Sequence, residues 1–102
     1  GDLGVWAAET QETKEFVGWF MLLKRDAEIP ELGFMVVQKH WGSGFASEIA
    51  KFLVDYAFKT LQYQSLVAKT DPTNLASIRV LEKIGFQLKE KTDTLNYYQL
   101  HA

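Results

Sequence analysis

The chain has 102 residues, enough for one domain around a single core. Its 11 Lys and Arg against 13 Asp and Glu leave a net charge of -2, which argues against the clustered basic excess that a nucleic-acid or anionic-membrane surface needs. With no cysteine there is no disulfide framework, no thiolate nucleophile and no cysteine zinc site, a composition compatible with a cytoplasmic location.

The sequence starts at Gly1-Asp2 without Met and runs almost at once into strand-like residues, which is read as an edge of a longer protein or a natural truncation. No signal peptide is visible. Val5 to Ala8 reads as a short strand, followed by the polar turn Gln11 to Glu15. Phe16 to Leu23 is an apolar run rich in aromatics, too short to span a bilayer, and reads as a central strand buried on both faces. Lys24 to Pro30 is a charged loop ending in Pro. Leu32 to Val37 is a further buried strand, and short connections predict that these three strands pair antiparallel.

The period then changes. Phe45, Ile49, Leu53, Tyr56 and Ala57 recur at helical spacing, predicting a helix from about Gly44 to Leu61. Leu66 to Lys69 is a short strand. Asp71-Pro72-Thr73-Asn74 is a turn and helix-cap signal, and Leu75, Ile78, Leu81 and Ile84 mark a second helix closed by Gly85. Phe86 to Lys91 and Leu95 to Leu100 form a hairpin through Thr92-Asp93-Thr94. Residues 1–102 are thus one α+β domain of order β-β-β-α-β-α-β-β. A helical crossover makes the third and fourth strands a parallel pair in a mainly antiparallel mixed sheet.

Two segments could carry chemistry. Lys39-His40-Trp41-Gly42-Ser43-Gly44-Phe45-Ala46 follows a strand and opens a helix. Glycines there allow a tight turn, and the helix N-terminus offers unpaired N–H donors and partial positive charge to a phosphate. A plain strand-to-helix turn explains the same residues. The spacing is neither the dinucleotide fingerprint nor a P-loop. The second segment, Asp71 to Arg79, opens the other helix at the carboxyl end of the neighbouring parallel strand, the edge where open α/β sheets bind ligands. Asn74 alone could be a cap and Ser77 an exposed first-turn residue.

Glu31-Leu32-Gly33-Phe34, His40 through Glu48, and Asn74 through Phe86, in that order, resemble the GNAT acetyltransferase superfamily, and within it the ribosomal-protein N-terminal acetyltransferases. The resemblance implies acetyl-coenzyme A as co-substrate and a parallel strand pair splayed around its pantetheine arm. It implies that the backbone of Phe34, Met35, Val36 and Val37 pairs with that arm, with a Val36 or Val37 N–H polarising the thioester carbonyl. Lys39, Gly42, Ser43, Gly44, Phe45 and Ala46 would line the pyrophosphate, Asn74 would bond the pantetheine, and Ser77 would protonate the departing thiolate. Arg79 and Lys83 either reach the nucleotide phosphates or are solvated surface charge. Glu31 is the candidate base, weighed against an exposed strand-edge carboxylate. His40 is assigned to the surface or the phosphate turn, and Trp6, Trp19, Phe20 and Phe34 to the core in preference to an acceptor pocket.

Two departures from the family stand out. Lys39 occupies the place where Gln or Arg opens the family's glycine turn, and the family's first strand and helix pair are absent. The expected activity is transfer of an acetyl group from acetyl-coenzyme A to a primary amine of a protein N-terminus or a small molecule. The alternative is a non-catalytic acetyl-coenzyme A binding module, or an oligomeric fragment without its acceptor wall, with a homodimer covering the missing elements. No metal, nucleic acid or membrane partner is expected.

Overall fold

The structure, a computed structural model, describes residues 2–24, 29–42 and 44–102. Most of the Lys24 to Pro30 loop, and Ser43, lie outside the described residues. The elements are β1 (Asp2–Glu9), β2 (Phe16–Leu23), β3 (Glu31–Val36), a 3-10 turn (Gln38–His40), α1 (Phe45–Asp55), a π turn (Tyr56–Thr60), β4 (Ser65–Thr70), α2 (Leu75–Lys83), β5 (Gln87–Lys91) and β6 (Asn96–His101). Among the described residues the six strands form one sheet in the order β1-β2-β3-β4-β6-β5. Every neighbouring pair is antiparallel except β3 and β4, which are parallel.

Strand alternation decides which side chains reach the core. Phe20, Leu22, Leu32, Leu66, Ala68 and Tyr98 share one sheet face and pack against Ala46, Ala50, Leu53 and Val54 of α1 and Leu81 of α2. Their near-complete burial makes this layer the main source of stability. The α1 helix presents its apolar stripe to the sheet, and its charged pair Lys51–Asp55 (2.8 Å) lies on the surface.

Three expectations are corrected. The β2 strand is not buried on both faces: Phe20 is fully buried, whereas its neighbour Trp19 is 44% exposed. The β3 strand is likewise open on that side, with Met35, the cross-strand partner of Trp19, 49% exposed. The core forms on the face that α1 and α2 cover, so an apolar run alone overstated burial. The first helix ends as α-helix at Asp55 and continues as a π turn, where the apolar spacing had suggested one unbroken helix. Gly85 does adopt positive φ after α2, and its N–H bonds the Glu82 carbonyl at 3.1 Å.

The parallel pair is the feature that matters for function. The β3 and β4 strands share a single register pair, Glu31 with Val67, reinforced by the Val67 N–H to Pro30 carbonyl bond of 3.0 Å. Beyond it the strands part, and a wedge opens toward their carboxyl ends.

Candidate active site

One wall of the wedge is β3. The Val37 N–H donates to the Val17 carbonyl at 2.9 Å, so the odd-numbered residues of this stretch bond to β2. Antiparallel alternation then turns the backbone groups of Phe34 and Val36 the other way, toward the wedge. Trp41 folds back along the strand, and its Nε1–H donates to the Val36 carbonyl at 2.8 Å. Of the two amides considered for the thioester, Val37 is therefore committed within the sheet, and Val36 keeps an N–H outside the ladder.

The turn into α1 forms the rim. Gly42 and Gly44 have φ of 76° and 91°, in the left-handed region that side chains strain to adopt. A Cβ at either position would meet nothing within 4 Å, so the backbone conformation, not space, calls for glycine. Gly44 is the N-cap of α1 and makes no side-chain cap bond, which leaves first-turn N–H groups for a ligand. The second wall is the start of α2. Asn74 caps it, its Oδ1 accepting from the Ser77 N–H at 3.2 Å. The loop before it is fixed by Asp71, whose Oδ1 accepts from the Thr73 hydroxyl (2.6 Å) and the Thr73 N–H (2.8 Å). Those bonds, the hydroxyl first, hold the Asp71 carboxyl below its usual range.

Together these walls enclose a cavity of about 690 Å³, a volume typical of ligand sites. It is lined by Phe34, Met35, Val36, Gly42, Gly44, Ala46, Asn74 and Ser77 among the residues singled out from the sequence. Arg79 and Lys83 lie on one stripe of α2 and also line it, adding two cations. His40, Trp41, Ser47, Thr73, Leu75, Ala76 and Val80 complete the lining.

Three anticipated residues stand elsewhere. Val37 faces β2 through its amide, and Lys39 reaches out to the Glu15 carboxylate. Phe45 packs edge-on against the His40 ring, with centroids 5.5 Å apart. None of the three lines the cavity, and Ser43 is outside the described residues. Glu31 pairs with Lys69 at 3.6 Å, at the closed end of the parallel pair. His40 is buried rather than on the surface, and its Nε2 lies 3.2 Å from Glu15 Oε2. Glu15 thus contacts both residues that lead into the glycine turn, a link that periodicity could not reveal. Its carboxyl is held below the ordinary range by its hydrogen bond with Lys39, with His40 contributing. Among the described residues there is no cluster of three metal-ligating side chains, and no helix is long and apolar enough to cross a membrane.

Residues 1–87 match the model of the acetyltransferase (GNAT) domain, and the chain belongs to the GNAT acetyltransferase family, whose enzymes use acetyl-coenzyme A as co-substrate. It is 41% identical over 86 residues to the uncharacterized protein YkkB of Bacillus subtilis (strain 168), which covers 81% of this chain and 50% of that protein. The chain spans about half the length of the curated relatives it matches. The crystal structure of an acetyltransferase from Agrobacterium tumefaciens str. C58 has a TM-score of 0.83 at 30% identity, covering 97% of this chain and 61% of that one. The ribosomal-protein-S5-alanine acetyltransferase from Vibrio fischeri has a TM-score of 0.82 at 14% identity, covering 95% and 60% of the two chains, which is a likeness of fold.

Proposed function

We propose that the chain is an N-acetyltransferase domain that moves an acetyl group from acetyl-coenzyme A to a primary amine of a protein N-terminus or a small molecule. The observation that carries this reading is the wedge between β3 and β4, rimmed by an uncapped helix start and by Asn74 and Ser77. The volume of the cavity between β3, the glycine turn and α2, the Val36 N–H outside the ladder and the cations of Arg79 and Lys83 suit a long, polar, phosphate-bearing ligand.

The donor supplies an activated acyl group. Residues of the chain then have separable tasks. The backbone of Phe34 and Val36 and the Asn74 side chain hold the arm, Met35 being bonded to β2 instead, and the turn from Gly42 to Ala46 holds the pyrophosphate. The Val36 N–H stabilises negative charge that develops on the acyl oxygen. The Ser77 hydroxyl gives its proton to the departing sulfur, and Glu31, at the opposite end of β3 from Val36, receives through a chain of water the proton that the attacking amine loses. The cytoplasm is the proposed location.

The test is incubation with acetyl-coenzyme A and a panel of amines, peptides and polyamines, reading free thiol. Release with at least one acceptor, reduced by Ser77→Ala with little change in donor affinity, is expected. No release above background with any acceptor would sink the reading.

A second reading rests on the helix-free sheet face, where Trp19 and its cross-strand partner Met35 are exposed, with Val5 exposed two residues along β1 from Ala7, the β1 partner of Trp19. An apolar face of this kind marks a contact surface. Here the chain would bind coenzyme A without transfer, or pair with a second copy over that face. Saturable binding with no turnover, or a dimer by light scattering, would favour it.

A further inference from the structure

A second, smaller cavity of about 260 Å³ adjoins the first and shares Phe34, Asn74 and Ser77 with it. Its lining includes the consecutive residues Leu32-Gly33-Phe34 of β3 and Ala68-Lys69-Thr70 of β4. Consecutive strand residues point to opposite faces. The cavity is therefore bounded by the inner edges of both strands, and it follows the gap between them from the helix-covered face toward the helix-free face.

On the helix-free side this gap carries a cross-strand ion pair. Glu31 belongs to β3 and Lys69 to β4, and Lys69 Nζ lies 3.6 Å from Glu31 Oε1. Val67, two residues before Lys69, is the register partner of Glu31, and an unbroken ladder would place Lys69 beside Gly33. The strands have already separated there, so the Lys69 side chain reaches back across the fork. The face of Gly33 is covered by the side chain of its register partner Met21, whose Cγ would lie 3.0 Å from a Cβ at that position, so on this side the Lys69 chain borders the opening. In the same position Nζ lies 5.8 Å from the centroid of the Tyr97 ring on β6, so a displaced ammonium has an aromatic face beside it to move toward.

Resting on the donor reading above, the geometry points to Lys69 as a specificity-determining residue of an acceptor site at this mouth, with its ammonium standing in for that of an acceptor. The ligand class is an amine cation that reaches Glu31 from the helix-free face and moves Lys69 onto Tyr97. Lys69 competes with the acceptor, and so sets how strongly positive charge must favour an amine before it enters.

The experiment titrates 1,3-diaminopropane into the parent protein, Lys69→Met and Lys69→Arg, following the Glu31 side-chain carboxyl carbon by NMR. Removing the competitor should tighten diamine binding about two- to fivefold, the range an exposed ion pair contributes. Lys69→Arg, which retains the pair, should behave as the parent. The uncharged analogue 1,3-propanediol should not bind in any of the three. Equal diamine affinity in parent and Lys69→Met, a Glu31 signal that does not move, or diol binding as tight as diamine binding would overturn the inference. Coenzyme A is titrated separately into the same proteins. A donor affinity that changed with Lys69→Met would also overturn the acceptor-side assignment, whereas absence of donor binding in the parent would sink the donor reading on its own.

Discussion

Trp41 donates its indole N–H to the carbonyl of Val36, five residues back, at 2.8 Å. The bond ties the glycine turn to the end of β3 and removes one acceptor from the wedge. A ligand carbonyl in the wedge, the acyl oxygen in the proposed reaction, would therefore meet Val36 as a donor.

This relationship gives the first prediction. Trp41→Phe keeps an aromatic ring and loses only the donor. Stability should fall by about 0.5–1.5 kcal/mol, the net worth of one hydrogen bond. Coenzyme A affinity should fall with it, because the turn loses its tether. Denaturant melts and calorimetry on one preparation test both parts, and an unchanged donor affinity would break the link drawn here between tether and turn.

Gly44→Ala forces a side chain into φ of 91° with no steric obstacle to blame. The expected cost is about 1–2 kcal/mol of folding stability. Donor binding should weaken as well, since relaxing the turn re-aims the first amides of α1. A variant as stable as the parent would show that the turn holds a different conformation in solution.

Asn74 has two separable tasks. Its Oδ1 caps α2 through the Ser77 N–H, and its amide nitrogen is the group proposed to meet the pantetheine. Asn74→Asp keeps the cap acceptor and removes the amide donor, so stability should be nearly retained while coenzyme A affinity drops. Asn74→Ala should lose both, with about 0.5–2 kcal/mol of stability for the cap. Equal donor affinity in Asn74→Asp and the parent would show that Asn74 is only a cap.

Acid should destabilise the fold through identifiable carboxyls. Asp71 is held below its ordinary 3.8 by the Thr73 hydroxyl and amide, and Glu15 below 4.5 by Lys39. A depressed folded-state value means that the unfolded chain binds the proton first. The stability from these contacts is present above the ordinary values and is lost as pH falls through the folded ones. Thermal midpoints should hold steady above about pH 5 and decline below about pH 4.5. In Asp71→Asn that decline should be shallower, and an identical acid limb in parent and variant would remove Asp71 from the account.

Phe20 is fully buried beneath α1 and stacks on Phe34, with ring centroids 6.0 Å apart. Phe20→Ala should cost about 3–5 kcal/mol by leaving a cavity in the main layer. Because Phe34 lines the wedge, donor affinity should suffer beyond the loss of stability, read by calorimetry under conditions where the variant remains folded.

Much of this was legible in the residues, and the failures have physical reasons. The switch from runs of strand-like residues to the spacing of Phe45, Ile49 and Leu53 located the first crossover, and the crossover dictated the parallel pair. That pair placed the turns at Gly42 to Gly44 and Asp71 to Asn74 on one edge, which is why the two wedge walls could be anticipated. Trp19 was misjudged because an apolar strand has the same spelling whether its second face is covered or bare. Lys39 was assigned to phosphate because charge beside a glycine turn suggests it. Its partner Glu15 lies 24 residues away, and only the position of the β1–β2 loop brings them together. Lys69 and Glu31 were likewise unconnected until the register of β3 and β4 was known.

The lone register pair between Glu31 and Val67 has a mechanical consequence. The sheet is two antiparallel blocks, β1-β2-β3 and β4-β6-β5, joined at one seam where few ladder bonds cross. A ligand lodged in the wedge would add contacts to both blocks beyond the single ladder pair and the Lys69–Glu31 ion pair that cross the seam. It would act as mortar, adding to the cohesion of the halves as the logarithm of its concentration relative to Kd. Amide hydrogen exchange would show this as protection gained on both sides of the seam at once.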